Sequence, residues 1–252
     1  YLTDFFLDAE DAISTAQVSN ENKRKFKVVV PVLPRISNHT DFDALRMHAD
    51  VDLQFISITQ QQIEADLIIL PGSKNVLGDL NALKAAGWEK TLQRHVRYGG
   101  RVIGICGGYQ MLGGLISDPD EIETTIGSTL GFGLLETSTV LQPEKQLKRV
   151  SGVFINHQIH NSVVRGYEIH CGITTQTAGK SAALIDLGEG RSDGLISGDG
   201  HVLGSYLHGL FDTPEAAKAI LTWAGLESNQ AADLEVIREQ QLERLADCLE
   251  EC

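Results

Sequence analysis

Four short runs, Phe26–Leu33, Val51–Ile58, Ala65–Leu70 and Arg101–Cys106, constrain the fold more than any other feature of the chain. Each is rich in Val, Ile or Leu, the texture of strands buried on both faces of a sheet. Helical patterns separate the later runs, at Val76–Ala86 and at Trp88–Tyr98, the second closed by a Gly99-Gly100 stop. Strands alternating with helices imply right-handed βαβ units, and hence an α/β fold: an open, mostly parallel sheet with helices on both faces. Ligands in such sheets bind at the carboxyl ends of the strands, so strand-ending residues are where chemistry is expected.

Beyond Leu130 the texture changes to closely spaced β-like segments at Gly133–Leu141, Val150–Ile155, Val163–Ile173, Ser181–Asp186 and His201–Tyr206. Additional β structure is therefore expected in the C-terminal half. Helical patterning returns at Pro214–Ala224, with proline in the first turn, and at Ala231–Cys252, where Glu235–Glu251 reads as a solvated or docking face. Residues 27–252 read as one mixed domain. Residues 1–26 read as a polar linker from a preceding domain, and Tyr1 in place of Met suggests a piece of a longer polypeptide.

Lys and Arg number 21 against 34 Asp and Glu, a net charge of −13, which argues against nucleic acid as a partner because no basic footprint is available. No apolar run approaches the roughly 18–20 residues of a membrane span. Four cysteines, at 106, 171, 248 and 252, form no Cys-x-x-Cys pair, and the expected setting is a reducing cytoplasm.

The sharpest local signal is Gly104-Ile105-Cys106-Gly107-Gly108, in which a buried strand runs straight into a helix. This is a nucleophile elbow with cysteine in the nucleophile's seat: glycines at −2 and +2 remove side chains that would clash in the tight turn. A helix N-terminus favours the thiolate over the thiol. The thiolate needs a proton shuttle, and His208 ends another apolar strand, Val202–Leu207. Acyl transfer also needs an oxyanion hole; the N–H of Gly107 is one expected donor, and the Leu70-Pro71-Gly72-Ser73-Lys74 turn is expected to supply the other at Gly72. Glu168 and His170 alternate onto one face of a strand, suited to gripping a substrate or contacting a partner domain. His157 and His160 lack the further ligands of a metal site, and no metal is expected; Cys171, Cys248 and Cys252 read as inert.

Gly104–Gly113, Leu70–Asn75 and Tyr206–Asp212, joined by Leu33–Asp43 and Gly166–Gly172, resemble the glutamine amidotransferase domain of cobyric acid synthases over roughly residues 27–225. The resemblance implies a flavodoxin-like, class I glutaminase in which Cys106 attacks glutamine, His208 is the base, and Gly72 and Gly107 form the oxyanion hole. Ser73, Tyr109, Gln110, Glu168 and His170 are weaker candidates for substrate binding. The wider class places a glutamate two residues after the histidine, where this chain has Leu210, so a dyad is expected, with Asp212 or Glu168 as alternative partners for the imidazole. The resemblance further implies an N-terminal ATP-dependent synthetase domain of the same polypeptide, through which a corrinoid substrate is amidated. ATP and Mg are expected there, and no cofactor in this chain. The alternatives are a related amidotransferase with another acceptor, such as a peptidoglycan lipid precursor, and a non-catalytic scaffold of the same fold.

Overall fold

The computed structural model describes residues 25–227, apart from 61, 126 and 178, together with residue 239. The expected linker up to residue 24 and the expected helix Ala231–Cys252, with Cys248 and Cys252, therefore fall outside the described residues, residue 239 excepted.

The N-terminal half runs β1 (Phe26–Val32), β2 (Ile36–Ser37), a 3-10 turn (His39–Phe42), α1 (Asp43–Met47), β3 (Val51–Ser57), β4 (Leu67–Leu70), β5 (Gly72–Ser73), α2 (Val76–Ala85), α3 (Trp88–Arg97), β6 (Arg101–Ile105) and α4 (Gly107–Leu112). The C-terminal half adds β7 (Leu115–Ser117), β8 (Ser128–Leu130), β9 (Thr137–Phe154), β10 (Val163–Gln176), β11 (Ala182–Gly188), β12 (Arg191–Ile196), β13 (Val202–Ser205), β14 (Leu207–His208) and α5 (Pro214–Ala224).

Twelve described strands form a single sheet in the order β14-β10-β9-β11-β12-β13-β6-β4-β1-β3, with β7 paired to β9 and β8 to β7; β2 and β5 pair separately. From β13 to β3 every neighbour is parallel, as the strand–helix alternation predicts. From β14 to β13 every neighbour is antiparallel, which is where the closely spaced C-terminal segments go. The parallel strands are the apolar ones for a physical reason: β4 is buried along its whole length and β6 in all but its first residue, so both faces need side chains that lose nothing by leaving water.

The core is built on the strands themselves, Val28–Val30, Leu67–Leu70, Val102, Ile103, Ile105 and Leu203, in one cluster with Ile220 of α5. Its location fixes the centre of the sheet at β6, flanked by β4 and β13. The carboxyl ends of all three strands reach one edge, and they carry Gly72, Cys106 and, through β14, His208.

Candidate active site

Strand β6 ends at Ile105, and the chain turns at Cys106 into α4 with φ 51° and ψ −105°. That is a strained conformation for a residue with a Cβ, and it persists only because the surroundings over-determine it. The neighbouring glycine explains how: a Cβ on Gly108 would stand 2.1 Å from the carbonyl oxygen of Leu70, so α4 lies directly against the end of β4. Cys106 is left 7 % exposed, its thiol directed at the carbonyl of Ile169 at 3.4 Å.

His208 is delivered by β14, which pairs Leu207 and His208 with Glu168 and Tyr167 of β10. The buried carboxylate of Asp193 sets the preceding turn by accepting the N–H groups of Tyr206 (3.1 Å) and Leu207 (3.3 Å) and the Ser205 hydroxyl. The imidazole stacks on Tyr167, with centroids 5.1 Å apart, and its Nδ1 donates to Asp41 Oδ2 at 2.7 Å. Asp41 Oδ1 accepts the N–H of Gly209 at 3.0 Å, so both carboxylate oxygens are used in holding this strand end. With Nδ1 committed, the remaining nitrogen faces Cys106. Burial disfavours the charged ring, but the Asp41 carboxylate and the hydrogen bonds to Asp41 and Cys106 outweigh it and push the His208 pKa up to about 10.

The imidazole's partner is therefore Asp41, from the 3-10 turn, and neither alternative drawn from the sequence. Glu168 is buried and turned to Arg191 at 2.9 Å, which removes it from both the imidazole and the cavity. Asp212 lies past the turn at Gly209, with its carboxylate packed against that glycine rather than at Nδ1. Asp41 sits inside the Leu33–Asp43 motif, but nothing local marks it as the partner of a histidine 167 residues away.

Cys106 and His208 line a cavity of about 250 Å³ shared with Ser37, Asn38, Ser73, Lys74, Val76, Gln110, Glu123, Leu141, Ile169, His170 and Cys171. A larger open groove of about 900 Å³ beside His95, Tyr98 and Leu226 touches none of these residues.

The turn after β4 is more specific than its sequence suggested. The N–H of Lys74 donates to Arg35 O at 2.9 Å, and Ile36 stands opposite Ser73. Alternation along an antiparallel ladder then directs the N–H of Gly72 at β2 and that of Ser73 away from it. The Ser73 nitrogen lies 2.9 Å from where a Cβ on Gly107 would be, so the N–H available to the cavity from this turn is that of Ser73, not Gly72. Gly72 has a different use: a Cβ there would meet Ser37 Oγ at 2.8 Å and His208 Cε1 at 3.3 Å. The Ser73 hydroxyl is itself occupied, donating to the buried Asp79 at 2.6 Å.

Of the other sequence candidates, Gln110 and His170 line the cavity and Tyr109 does not. Gln110 donates to Tyr206 Oη at 3.1 Å, which also bonds Thr174 at 2.5 Å. His170 stacks on Tyr206 with centroids 3.7 Å apart and donates from Nδ1 to Gly172 O at 2.8 Å; burial pushes its pKa down, which favours the neutral ring. Tyr109 is buried edge-on to Tyr206 and fills the space above Gly204, a packing role. Cys171, expected to be inert, forms part of the wall. Among the described residues, His157 and His160 join no cluster of three or more metal-binding side chains. No described helix is long and apolar enough to cross a membrane.

A cysteine on a strained strand-to-helix turn, facing a buried histidine in a small cavity, is equipped for acyl transfer from an amide. A family profile for a CobB/CobQ-like glutamine amidotransferase domain matches residues 27–216. The chain belongs to that family. It is a glutamine amidotransferase enzyme, as the sequence motifs implied. Solved structures agree on the fold. A PurLQS structure from Thermotoga maritima superposes with a TM-score of 0.60 at 18 % identity, covering 79 % of this chain and 97 % of the other. A crystal structure of a glutamine amidotransferase gives 0.55 at 17 %, covering 79 % and 99 %. At such identities the likeness speaks for the flavodoxin-like α/β fold alone.

Proposed function

We propose that this chain is the glutaminase of a cobyric acid synthase, supplying ammonia for the amidation of adenosylcobyrinic acid a,c-diamide in cobalamin biosynthesis. The observation that carries the catalytic part is the Cys106–His208–Asp41 line, three buried side chains from three separate parts of the chain, the first two lining one cavity and the third holding the imidazole from behind. The cobalamin assignment is supported by the Leu33–Asp43 and Gly166–Gly172 motifs, which supply Asp41 and the wall of the cavity.

In the proposed reaction the Cys106 thiolate attacks the side-chain carbonyl carbon of glutamine, forming a C–S bond while the carbonyl electrons move onto oxygen. The N–H groups of Ser73 and Gly107 stabilise that oxyanion. His208 gives its Nε2 proton to the departing nitrogen, the C–N bond breaks, and ammonia leaves a γ-glutamyl thioester. The neutral imidazole then takes a proton from water, which attacks the thioester; glutamate departs and the thiolate is restored. Asp41 keeps the ring in the tautomer that places the mobile proton on Nε2, and it balances the imidazolium charge.

Joining ammonia to a carboxylate requires the carboxylate to be activated first, by phosphoryl transfer from ATP with Mg²⁺. We assign that step, and recognition of the corrinoid, to an ATP-dependent synthetase partner domain. The direct test is ammonia release from glutamine. Cys106→Ser is expected to abolish it, because the alcohol offers no comparable anion near neutral pH. A Ser variant that keeps more than a few per cent of the wild-type rate removes Cys106 as nucleophile.

A further inference from the structure

The two cysteines among the described residues, Cys106 and Cys171, are both free thiols, and both line the same cavity of about 250 Å³. Only Cys106 has work in the proposed reaction. Cys171 is half-buried and stands at a break in the β9–β10 ladder. His170 pairs with Gln146 and Gly172 with Leu141, so Cys171 falls outside the register. Irregularities of this kind re-aim a side chain beside an active site, and a residue outside the ladder shifts without undoing its pairing.

The strand is pressed against the nucleophile's turn on either side of Cys171. Two residues earlier, the carbonyl oxygen of Ile169 lies 3.4 Å from Cys106 Sγ. One residue later, a Cβ on Gly172 would run into the side chain of Gln110, in the helix that Cys106 caps. Between these contacts, His170 is already engaged: its ring stacks on Tyr206 and its Nδ1 donates to Gly172 O. Cys171 is the other residue of that short span, and it carries a second sulfur. A disulfide needs Cα atoms roughly 4.4–6.8 Å apart, and the broken register gives Cys171 the freedom to close on Cys106.

We propose that Cys106 and Cys171 are a redox pair: hydrogen peroxide closes a disulfide between them, which stops glutamine hydrolysis until a dithiol reopens it. The inference rests on Cys106 being the thiolate nucleophile of the glutaminase, because the thiolate is the form that peroxide oxidises. Its sulfur attacks one peroxide oxygen, the O–O bond breaks, hydroxide leaves, and Cys106 becomes a sulfenic acid. The Cys171 thiol gives its proton to that hydroxide and attacks the Cys106 sulfur. The S–S bond forms, the S–O bond breaks, and a second hydroxide leaves. The two sulfurs have together lost two electrons, and the peroxide oxygens have gained them. A dithiol returns both electrons and is itself oxidised to a disulfide. Trapping the sulfenic acid in this way also keeps Cys106 from the irreversible sulfinic state.

The test exposes the full chain to hydrogen peroxide for a prolonged period, then follows ammonia release and peptide masses before and after dithiothreitol. The wild type is expected to lose ammonia release and to yield a linked Cys106–Cys171 peptide pair, lighter than its parts by two hydrogens. Dithiothreitol is expected to restore most of its activity. In Cys171→Ser the link cannot form, the sulfenic acid runs on to the sulfinic, and dithiothreitol restores little of that variant's starting activity. Equal recovery in the two proteins overturns the pair. So does an oxidised wild type in which Cys106 is linked to Cys248 or Cys252, or carries sulfinic acid alone. The wild-type peptide masses decide the matter even where Cys171→Ser fails to fold. A reduced wild type that releases ammonia but never forms the link overturns the pair and leaves the glutaminase reading standing. A reduced wild type that releases no ammonia overturns the glutaminase reading, and the redox control of that activity falls with it.

Discussion

Asp41 shows how much one side chain can depend on geometry that no local pattern contains. It stands 167 residues from the imidazole it holds, and its two oxygens do different work: one accepts from His208 Nδ1, the other from the N–H of Gly209. Asp41→Asn keeps the shape but offers only one acceptor oxygen, so either the ring loses its fixed tautomer or Gly209 loses its bond. We expect kcat for glutamine hydrolysis to fall about 10²-fold or more, with KM changed far less, because the ring acts on the leaving group rather than on substrate binding. Steady-state kinetics decide it; an equal rise in KM with kcat intact would reduce Asp41 to a structural residue. Cys106 was legible because the elbow is local: five consecutive residues carry the whole signal. His208 was legible as a strand end. Asp41 was not, because spacing in the chain says nothing about which turn folds over which strand, and the two acids nearest His208 in sequence-based reasoning, Asp212 and Glu168, are engaged elsewhere.

At the level of elements, the elbow is a packing solution as much as a catalytic one. The contact between Gly108 and Leu70 O leaves no room for a methyl group, and the obstacle is backbone in a buried parallel strand, which cannot swing aside. Gly108→Ala is expected to destabilise the fold by about 1–3 kcal/mol, the usual cost of overpacking, and to lower activity by tilting α4 away from β4. Urea unfolding measures the first effect; stability within about 0.5 kcal/mol of wild type would mean that α4 shifts freely. Element boundaries in the parallel half matched the apolar runs to within a residue or two, since burial on both faces leaves a strong compositional mark. The antiparallel half was read less well. Gly133–Leu141 and Val150–Ile155 were expected as separate strands, yet the chain continues as one long strand, Thr137–Phe154. Its middle, from Pro143 to Arg149, is exposed where described and mostly polar; Gln146–Arg149 are held extended by pairing with β10, which is a tertiary cause, and the register shifts just before them. Strand β12 escaped notice for a similar reason: Arg191-Ser192-Asp193-Gly194 is polar because Asp193 is spent on orienting the turn before His208.

On the scale of the whole molecule, the alternation of strand and helix was enough for the parallel core, whereas the joining of its two halves is a long-range matter. The Asp41–His208 pair belongs to that joining, since it ties the 3-10 turn of the N-terminal half to β14 at the far edge of the sheet. This makes global stability sensitive to the protonation of one buried imidazole. Burial alone lowers a histidine's affinity for its proton, but here the Asp41 carboxylate and Cys106 reverse the balance and raise the pKa to about 10, against 6.5 for the free side chain. The sign follows from linkage: a group that binds its proton more tightly when folded stabilises the fold fully below its unfolded pKa, and that contribution drains away as pH rises towards the folded value. The pair should therefore contribute fully at pH 6, progressively less from about pH 6.5 upward, and nothing above about pH 10. Other groups titrate in the same range, so the quantity to follow is the difference in unfolding free energy between the wild type and His208→Gln. That difference is expected to shrink as pH rises from 6 to 10, at no more than about 1.4 kcal/mol per pH unit for a single proton. Urea denaturation at half-unit pH steps reads it directly. A difference that stays flat across the window would show the imidazole to be neutral in the folded chain, and the thiolate–imidazolium pairing on which the proposed proton transfer depends would have to be given up.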